Sequence, residues 1–361
     1  MEMITIFTPS FADAENTNAQ NLTTKEIVSR LPSDQYKVIL LSQGSPDSRI
    51  LARKNTELLQ WSRHGNTARW LTSVLLSRID IYFFPRESPL DALFLRLRRF
   101  LGLEVALVTY IVMALDEIAV AETMKRAIVE ADHVVGNSLY VAKTVQDRFR
   151  VVTGTIYGGV RRDLFYPAVG RDRPSSKLTV LYAGSFQARK RVNLVIHEAA
   201  KWPLVDFRLI GKGEEEEKCR LLARDLGCRN VTFVGHLSQQ ALADEMRHAD
   251  LFLFPSVLEG HPQVLVQAAA CGLPAIAMDV YHPDYVVNGE TGFLVESGEA
   301  LTRKLSLLLR DSALRRSMSE AAIEHARKFD WDNVTEQWQR VFQSVVRERP
   351  RGSHVRNIRH L

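Results

Sequence analysis

One segment combines an acidic residue, a predicted helix start and an amide side chain. Residues 251–254 are apolar, Glu259 follows them, and Gln267 lies eight positions later in the apolar stretch 264–270. A strand, a loop and a helix in this order point the unused N–H groups of the helix start into the loop, where a diphosphate binds well. The amides concerned belong to Gln263, Val264 and Leu265.

Gln267 lies about one helical turn inside that helix. Its amide both accepts and donates hydrogen bonds, which suits a pair of hydroxyl groups. The plainer alternative is that Glu259 is a solvated loop acid, followed by a buried helix that ends at Gly272.

A second segment carries three consecutive basic residues, Arg189, Lys190 and Arg191. It begins at Gly184, directly after the apolar run 178–182. A leaving group that gains negative charge needs cationic support, because stabilising developing charge is usually the largest catalytic contribution. The plainer alternative is a solvated basic turn.

Strand-like and helix-like segments alternate along the chain, a pattern typical of parallel sheets with crossover helices. The first half has predicted strands at 3–8, 36–41, 79–84, 105–110 and 133–137, and predicted helices at 23–30, 90–101 and 118–131. The second half has predicted strands at 178–182, 206–210, 230–234, 251–254 and 274–278, and predicted helices at 192–200, 215–226, 239–248, 264–270 and 300–309. The sequence therefore predicts an α/β fold.

The 361 residues are too many for one ordinary core, since a domain takes roughly 150 residues. Turn residues at 157–167 and a polar run at 170–176 predict a linker, with the domain boundary at residue 167. We predict two Rossmann-like doubly wound domains that face one another across a cleft at the carboxyl ends of their strands.

Residues 254–274 resemble the signature of the family 4 (group 1) retaining glycosyltransferases, in which a glutamate after a strand is followed eight positions later by a glutamate on a helix. Further matches lie in the family's order at 184–192, 209–213, 231–237 and 288–294. The resemblance implies a GT-B type of fold. Its parts are an acceptor-side domain at 1–167, a nucleotide-sugar-binding domain at 168–330, a terminal helix at 331–346 that crosses back to the first domain, and a flexible basic tail at 347–361.

The resemblance implies a role for each matching residue. Glu259 contacts the donor sugar and Lys190 neutralises the donor diphosphate, both as catalytic residues, while Gln267 takes the position that binds the ribose. Ser185 occupies the place of a basic residue of the family, and Arg189 or Arg191 supplies the missing charge. The other donor-binding positions are Gly260, His261, Gln263, Val264 and Leu265, with His236 and Leu237 lining the base pocket largely through backbone atoms. An equal alternative for His236 is a loop histidine that binds no ligand.

The first domain matches the family only in outline. Its opening loop, residues 9–21, has no glycine, whereas relatives commonly have a glycine pair there that lets the backbone approach the donor phosphate. Asn16, Asn18 and Gln20 are candidates to hydrogen-bond in its place. Relatives often have a histidine after the strand that corresponds to 105–110, and this chain has none there. The resemblance therefore implies donor binding more firmly than turnover.

The implied activity is transfer of a sugar from a nucleoside-diphosphate sugar to a hydroxyl acceptor, saccharide or lipid-linked, in polysaccharide, glycolipid or glycoconjugate biosynthesis. In the family's accepted picture the departing phosphate helps to deprotonate the incoming hydroxyl, so the enzyme mainly positions groups and stabilises charge. We find no Asp-x-Asp metal cluster in a suitable loop, so we expect no metal and no further cofactor. The alternatives are a nucleotide-sugar epimerase or hydrolase and a non-catalytic nucleotide-sugar-binding protein.

Charge and cysteine content limit the location and the partners. The three cysteines are odd in number and lack metal-ligand spacing, which favours a reducing compartment, the cytoplasm. We find no export signal and no apolar run that approaches the roughly 20 residues of a membrane span. The last fifteen residues carry +4 of the net charge of +5. The nearly neutral body argues against a nucleic-acid partner, and the tail is either solvated or bound to an anionic membrane.

Residues 91–101 are apolar and contain three arginines, Arg96, Arg98 and Arg99. The favoured interpretation is a crossover helix with its arginines in water. The alternative is peripheral contact with an anionic membrane, at the inner face of the cell membrane.

Overall fold

The computed structural model describes residues 3–15, 19–61, 79–85, 87–115, 119–168 and 177–348. The labels below number the elements within those ranges. Asn16, Asn18, the polar run 170–176 and the tail from residue 349 lie outside the described residues. The chain divides into two compact units: unit 1 is Met1–Tyr157 with Trp331–Leu361, and unit 2 is Gly158–Asp330.

The described part of unit 1 contains a parallel sheet in the order β3-β2-β1-β4-β5-β6-β7. Its strands are β1 (Ile4–Phe11), β2 (Tyr36–Ser42), β3 (Thr56–Gln60), β4 (Ile81–Phe83), β5 (Ala106–Ile111), β6 (His133–Gly136) and β7 (Thr153–Thr155). The helices that accompany them are α1 (Ala19–Arg30), α2 (Ser48–Ala52), α3 (Pro89–Leu101), α4 (Glu122–Val129) and α5 (Leu139–Phe149).

The described part of unit 2 contains a second parallel sheet in the order β10-β9-β8-β11-β12-β13. Its strands are β8 (Thr179–Ala183), β9 (Asp206–Ile210), β10 (Val231–Gly235), β11 (Leu251–Phe254), β12 (Ala275–Met278) and β13 (Gly292–Val295). Its helices are α6 (Val192–Lys201), α7 (Glu216–Asp225), α8 (Gln239–His248), α9 (Gln263–Ala270), α10 (Gly298–Arg310) and α11 (Ser312–Ala326). This is the Rossmann strand order, and the predicted α/β class with two Rossmann-like domains is confirmed.

The terminal helix α12 (Trp331–Arg347) packs on unit 1. Its buried apolar residues recur every three or four positions, as expected for one face of a helix. The Trp338 ring is fully buried, with its centroid 4.9 Å from the rings of both Phe83 and Tyr110. This aromatic contact ties α12 to the sheet of unit 1.

The two units divide ten residues before the predicted boundary at 167. The segment after residue 157 has little regular structure, but its backbone bonds to unit 2. The Val160 amide donates to the Phe329 carbonyl at 2.8 Å, and Arg247 donates to the Leu164 carbonyl at 2.8 Å. These turn residues therefore belong to unit 2 and do not form a free linker.

Two glycines of the matched motifs are needed for backbone packing. Gly211 has φ 134°, and a Cβ there would lie 1.9 Å from the Gly184 carbonyl oxygen. A Cβ on Gly292 would lie 2.2 Å from the Ala275 carbonyl oxygen. Any larger residue would force neighbouring strand ends apart.

The predicted opening loop at 9–21 is wrong in extent, because β1 runs to Phe11 and α1 begins at Ala19. The end of β1 lacks the apolar pattern that marks a strand, because its polar residues make buried contacts. The Ser10 and Thr24 hydroxyls, for example, lie 3.0 Å apart. Gln20, a candidate for donor contact, instead donates to the Phe84 carbonyl at 3.3 Å within unit 1.

Helix α3 connects β4 to β5, as predicted for a crossover helix. The prediction that its three arginines lie in water is wrong for Arg98. That guanidinium donates to the Val105 and Glu130 carbonyls, each at 2.9 Å, and to Asp132 at 2.7 Å. Arg96 and Arg99 are exposed.

Candidate functional site

The two chemically promising segments meet at the carboxyl ends of the two central strands of the sheet in unit 2. The basic segment follows β8 and the Glu259 loop follows β11, and these strands are paired, with Val180 beside Leu251. Strands β8 and β11 are the first and fourth strands of the Rossmann sheet in chain order and lie side by side at its centre. The strand order therefore reverses between them. Ligands of such sheets bind beyond the carboxyl ends of the strands at that point.

The Glu259 carboxylate is the centre of a compact charged cluster. One of its oxygens, Oε1, accepts from Arg189 Nη1 at 2.8 Å and from the Ser256 hydroxyl at 2.5 Å, and it pairs with Lys190 Nζ. The Glu259 side chain is only 11% exposed. Glu259 is therefore not a solvated loop acid, since two cations and a hydroxyl contact it.

Lys190 is a buried cation, with 9% of its side chain exposed. Burial lowers the pKa of its ammonium group, while the Glu259 charge acts in the opposite direction. Its Nζ also lies 4.9 Å from the centroid of the Phe254 ring, a cation–π contact. The basic segment is thus a built site, because a solvated turn would leave this lysine in water.

Arg189 joins the basic turn to the Glu259 loop. Besides Glu259, its Nη1 donates to the Leu258 carbonyl at 2.6 Å, and its own carbonyl accepts from the Val257 amide at 3.0 Å. Arg191, by contrast, is exposed. The sequence analysis gave Arg189 or Arg191 as the source of the missing positive charge, and the structure brings Arg189 to the cluster.

Ser185 follows β8 at the same strand ends, and it is half-buried. Its carbonyl accepts from the Tyr182 hydroxyl at 3.0 Å. This hydrogen bond therefore involves the Ser185 backbone and not its side chain.

Helix α9 begins at Gln263, and Gly260, His261 and Pro262 connect it to Glu259. Its first turn contains no acidic residue. The Leu265 amide donates to the Pro262 carbonyl at 3.0 Å, so it already has an acceptor within the chain. The amides of Gln263 and Val264 precede it, where a helix has no acceptor of its own. An anion beside them would also gain from the helix dipole.

The buried His261 side chain packs against Tyr285 next to the start of α9. Its ring lies 3.5 Å from that of Tyr285, centroid to centroid. Burial lowers the pKa of His261 to about 3, so the ring is neutral at physiological pH.

Gln267 is buried on α9, and its amide is already oriented. Its Nε2 donates to Oε1 of Gln239 at 3.1 Å, and Gln239 is the first residue of α8. The short connection between β10 and α8 contains His236, which is exposed, and Leu237, which is half-buried. The predicted base-pocket residues His236 and Leu237 thus lie in the connection that leads to Gln239, the hydrogen-bond partner of Gln267.

Tyr281 lies after another strand of the same sheet and was missed by sequence reasoning. It follows β12, the strand beside β11, and is 1% exposed. No described residue gives its hydroxyl a hydrogen-bond partner. Burial raises the pKa of this hydroxyl, and the nearby charges of Glu259 and Asp279 add to the effect. Its position after a third neighbouring strand is the signal by which the sequence could have identified it.

The described ranges contain no group of three or more His, Cys, Asp or Glu side chains arranged to hold a metal ion. None of the described helices is both long and apolar enough to cross a membrane.

Part of the chain matches a known protein family. Residues 170–325, most of unit 2, match the family model described as glycosyl transferases group 1. A phosphatidyl-myo-inositol mannosyltransferase of Mycobacterium leprae is 32% identical over 190 residues, 50% of this chain and 48% of the relative. A D-inositol 3-phosphate glycosyltransferase of Streptomyces avermitilis is 29% identical over 256 residues, 63% of this chain and 54% of the relative. The chain thus spans about half the length of these curated relatives.

Solved structures resemble the chain over nearly its whole length. HepE of Anabaena in complex with UDP has a TM-score of 0.77 at 18% identity, covering 95% of this chain and all of that chain. The same protein in complex with UDP-glucose gives a TM-score of 0.74 at 17% identity, with the same coverage. The likeness confirms the predicted GT-B type of fold.

Proposed function

We propose that this chain is a retaining glycosyltransferase of family 4, which transfers a sugar from a nucleoside-diphosphate sugar to a hydroxyl acceptor. The observation that carries the proposal is the cluster of Glu259, Lys190 and Arg189 at the switch point of unit 2. The match to the group 1 family model and the activities named for the relatives support it. Those names also favour saccharide or lipid-linked acceptors, as in glycolipid, glycoconjugate or polysaccharide biosynthesis.

The donor diphosphate binds to Lys190, to Arg189 and to the amides of Gln263 and Val264. In the structure Glu259 is the anion that holds both cations. The arriving diphosphate takes over these cations, which are better shared with a more highly charged anion. The exchange frees Glu259 Oε1 to accept a hydrogen bond from a hydroxyl of the donor sugar.

Catalysis then consists of positioning and charge stabilisation. The bond between the anomeric carbon and the diphosphate oxygen breaks, and its electron pair leaves with the nucleoside diphosphate. Lys190, Arg189 and the start of α9 stabilise that charge. The departing phosphate accepts the proton of the acceptor hydroxyl, whose oxygen forms the new bond on the same face of the sugar.

The nucleoside part of the donor binds further along the row of strand carboxyl ends in unit 2. Gln267 contacts the ribose, and backbone atoms near His236 and Leu237 contact the base. UDP and UDP-glucose are the first ligands to try, because HepE of Anabaena has been solved with both.

The proposal involves no metal ion and no further cofactor, because the cations and helix amides supply the positive charge. A chelator is therefore expected to leave transfer unchanged. We also propose a cytoplasmic protein without a nucleic-acid partner. The exposed Arg96, Arg99 and Phe100 of α3, the last 84% exposed, suit contact with the anionic inner face of the cell membrane.

The test combines a binding screen with a transfer assay. Thermal shift against nucleotides and nucleotide sugars identifies the donor, because a ligand that binds only the folded state raises the melting temperature. Transfer is then measured with E259Q, which we expect to be slower by about 100-fold, and with E290Q as a control at an exposed glutamate of the same unit. Nuclear magnetic resonance of the product reports whether the anomeric configuration is retained.

Each outcome of these assays supports or excludes the proposal. Full transfer by E259Q, or inversion in the product, contradicts it. Release of free sugar or an epimer without acceptor shows a hydrolase or epimerase instead. Binding without turnover across a broad acceptor panel shows a nucleotide-sugar-binding protein.

A further inference from the structure

Gln239 and Gln267 form an amide pair between the starts of two helices in unit 2. Gln239 is the first residue of α8, whose Ser238 cap accepts from the Ala241 amide at 3.2 Å. Gln267 lies one turn inside α9 and is 8% exposed. The bond from Gln267 Nε2 to Gln239 Oε1, 3.1 Å long, joins the two helices directly.

In this bond the nitrogen end of the Gln267 amide faces Gln239. The oxygen and nitrogen ends of a glutamine amide have nearly the same shape, so packing alone hardly distinguishes them. An amide oxygen only accepts, so the Gln267 atom that meets Gln239 Oε1 is the nitrogen. The Gln267 oxygen is then the end that remains for another donor.

A ribose hydroxyl is a donor of the right kind for that oxygen. We propose that Gln239 is a positioning residue that orients the Gln267 amide, so that the Gln267 oxygen accepts from one ribose hydroxyl of the nucleotide. This inference rests on the proposed function, and it makes ribose recognition depend on a neutral pair of amides. A carboxylate at position 267 would present two acceptors and need no such partner.

Calorimetry with nucleotide analogues tests this pair. UDP, GDP and ADP are titrated into the full-length protein, and the tightest binder is compared with its 2′-deoxy and 3′-deoxy forms. We expect one deoxy form to bind about 3- to 10-fold more weakly than the ribonucleotide, the effect of one neutral hydrogen bond. In Q267A and Q239A this ratio is expected to fall below about twofold.

Two further variants separate orientation from mere structure. Q239E keeps an oxygen that accepts from the Gln267 nitrogen, so the ratio is expected to survive. Q240A is the matched control: Gln240 is an exposed glutamine one position further on, 3.5 Å from Asp244 of its own helix. It is expected to behave as the unmodified protein does.

The outcomes keep the inference apart from the proposed function. If none of the three nucleotides binds, the proposed function fails and the inference fails with it. If a nucleotide binds but neither deoxy form differs, or Q239A keeps the full ratio, only the inference is overturned. A ratio lost in Q239E as well as in Q239A also overturns it, because an acceptor at that position would then not be sufficient.

Discussion

Replacing Glu259 with alanine is expected to destabilise unit 2 in a pH-dependent way, in addition to stopping transfer. The change removes the carboxylate that Lys190 and Arg189 share. Arg189 is about one-third exposed and can turn to water, whereas Lys190 is 9% exposed and stays buried as an uncompensated cation. The stability loss therefore comes mainly from Lys190.

The size of the loss follows from the burial of the pair. Removing one partner of a buried ion pair costs about 3–5 kcal/mol. The Phe254 ring still faces Lys190 at 4.9 Å, so we expect the lower end, about 3 kcal/mol. For a domain of this size that lowers the melting temperature by roughly 6–12 °C.

The pH dependence follows from the pKa of Lys190. Burial already lowers this pKa and Glu259 partly opposes the effect, so removing Glu259 lowers it further. Between the lowered pKa and the ordinary lysine value of about 10.4, the unfolded chain binds more protons than the folded chain. Stability there rises with pH, by up to about 1.4 kcal/mol per unit. The variant enters this range at a lower pH, so its deficit shrinks as the pH rises through this range towards the ordinary lysine value.

The measurement is urea unfolding and thermal melting of the unmodified protein, E259A, and E259A combined with K190M, across that pH range. The second substitution removes the buried cation and is expected to restore at least about half of the lost stability. E215A, which removes the partner of the exposed Lys218, is the control and is expected to leave the melting temperature essentially unchanged. A deficit of E259A that stays constant with pH, or that K190M does not reduce, would refute the reasoning.

Three further substitutions test other parts of the site. R189A is expected to weaken UDP binding about tenfold, whereas R191A, at an exposed position, is expected to change it little; calorimetry that shows equal losses would contradict the role of Arg189. His261 has a folded pKa of about 3 and an ordinary value of 6.5, so its contribution to stability is complete above the ordinary value and is lost as the pH falls towards about 3. Urea unfolding of H261F is therefore expected to be less sensitive to acid than that of the unmodified protein, and equal sensitivity would speak against a neutral buried ring. Y281F removes a buried hydroxyl that has no partner among the described residues, so its melting temperature is expected to stay the same or rise, while its thermal shift with UDP-glucose falls; a clear loss of stability without ligand would show that the hydroxyl is already bonded.

Strands and helices with strong apolar runs could be predicted from the sequence. The prediction failed for elements in which polar or small residues form the buried face. Helix α11 was missed because its fully buried residues are Met318, Ala322 and Ala326, which give little apolar contrast. Strand β3 was missed because all its residues are at least partly exposed. The domain boundary was misplaced because turn residues show that regular structure stops, but not which neighbour their backbone bonds to.

The site was predictable to the level of segments but not of partners. Glu259 and Lys190 follow from their places after two strands, and parallel sheets bring such strand ends together. Arg189 and Arg191 flank Lys190 equally in sequence, and only the turn Ala188–Lys190 decides which of them points at Glu259. Gln239 gave no signal, because its contact with Gln267 joins residues 28 positions apart.

The two departures from the family pattern, Ser185 and Gln267, act on the charge of the site in opposite directions. Serine removes a positive charge and glutamine removes a negative one, and Arg189 adds a positive charge at Glu259. The cluster of Arg189, Lys190 and Glu259 therefore carries one net positive charge, with a neutral amide where the family has a second carboxylate. A diphosphate meets less repulsion at such a site, since opposing charges at short range cost most where water is excluded. In the proposed donor site, the glutamine at 267 and the arginine at 189 thus compensate together for the missing basic residue at 185.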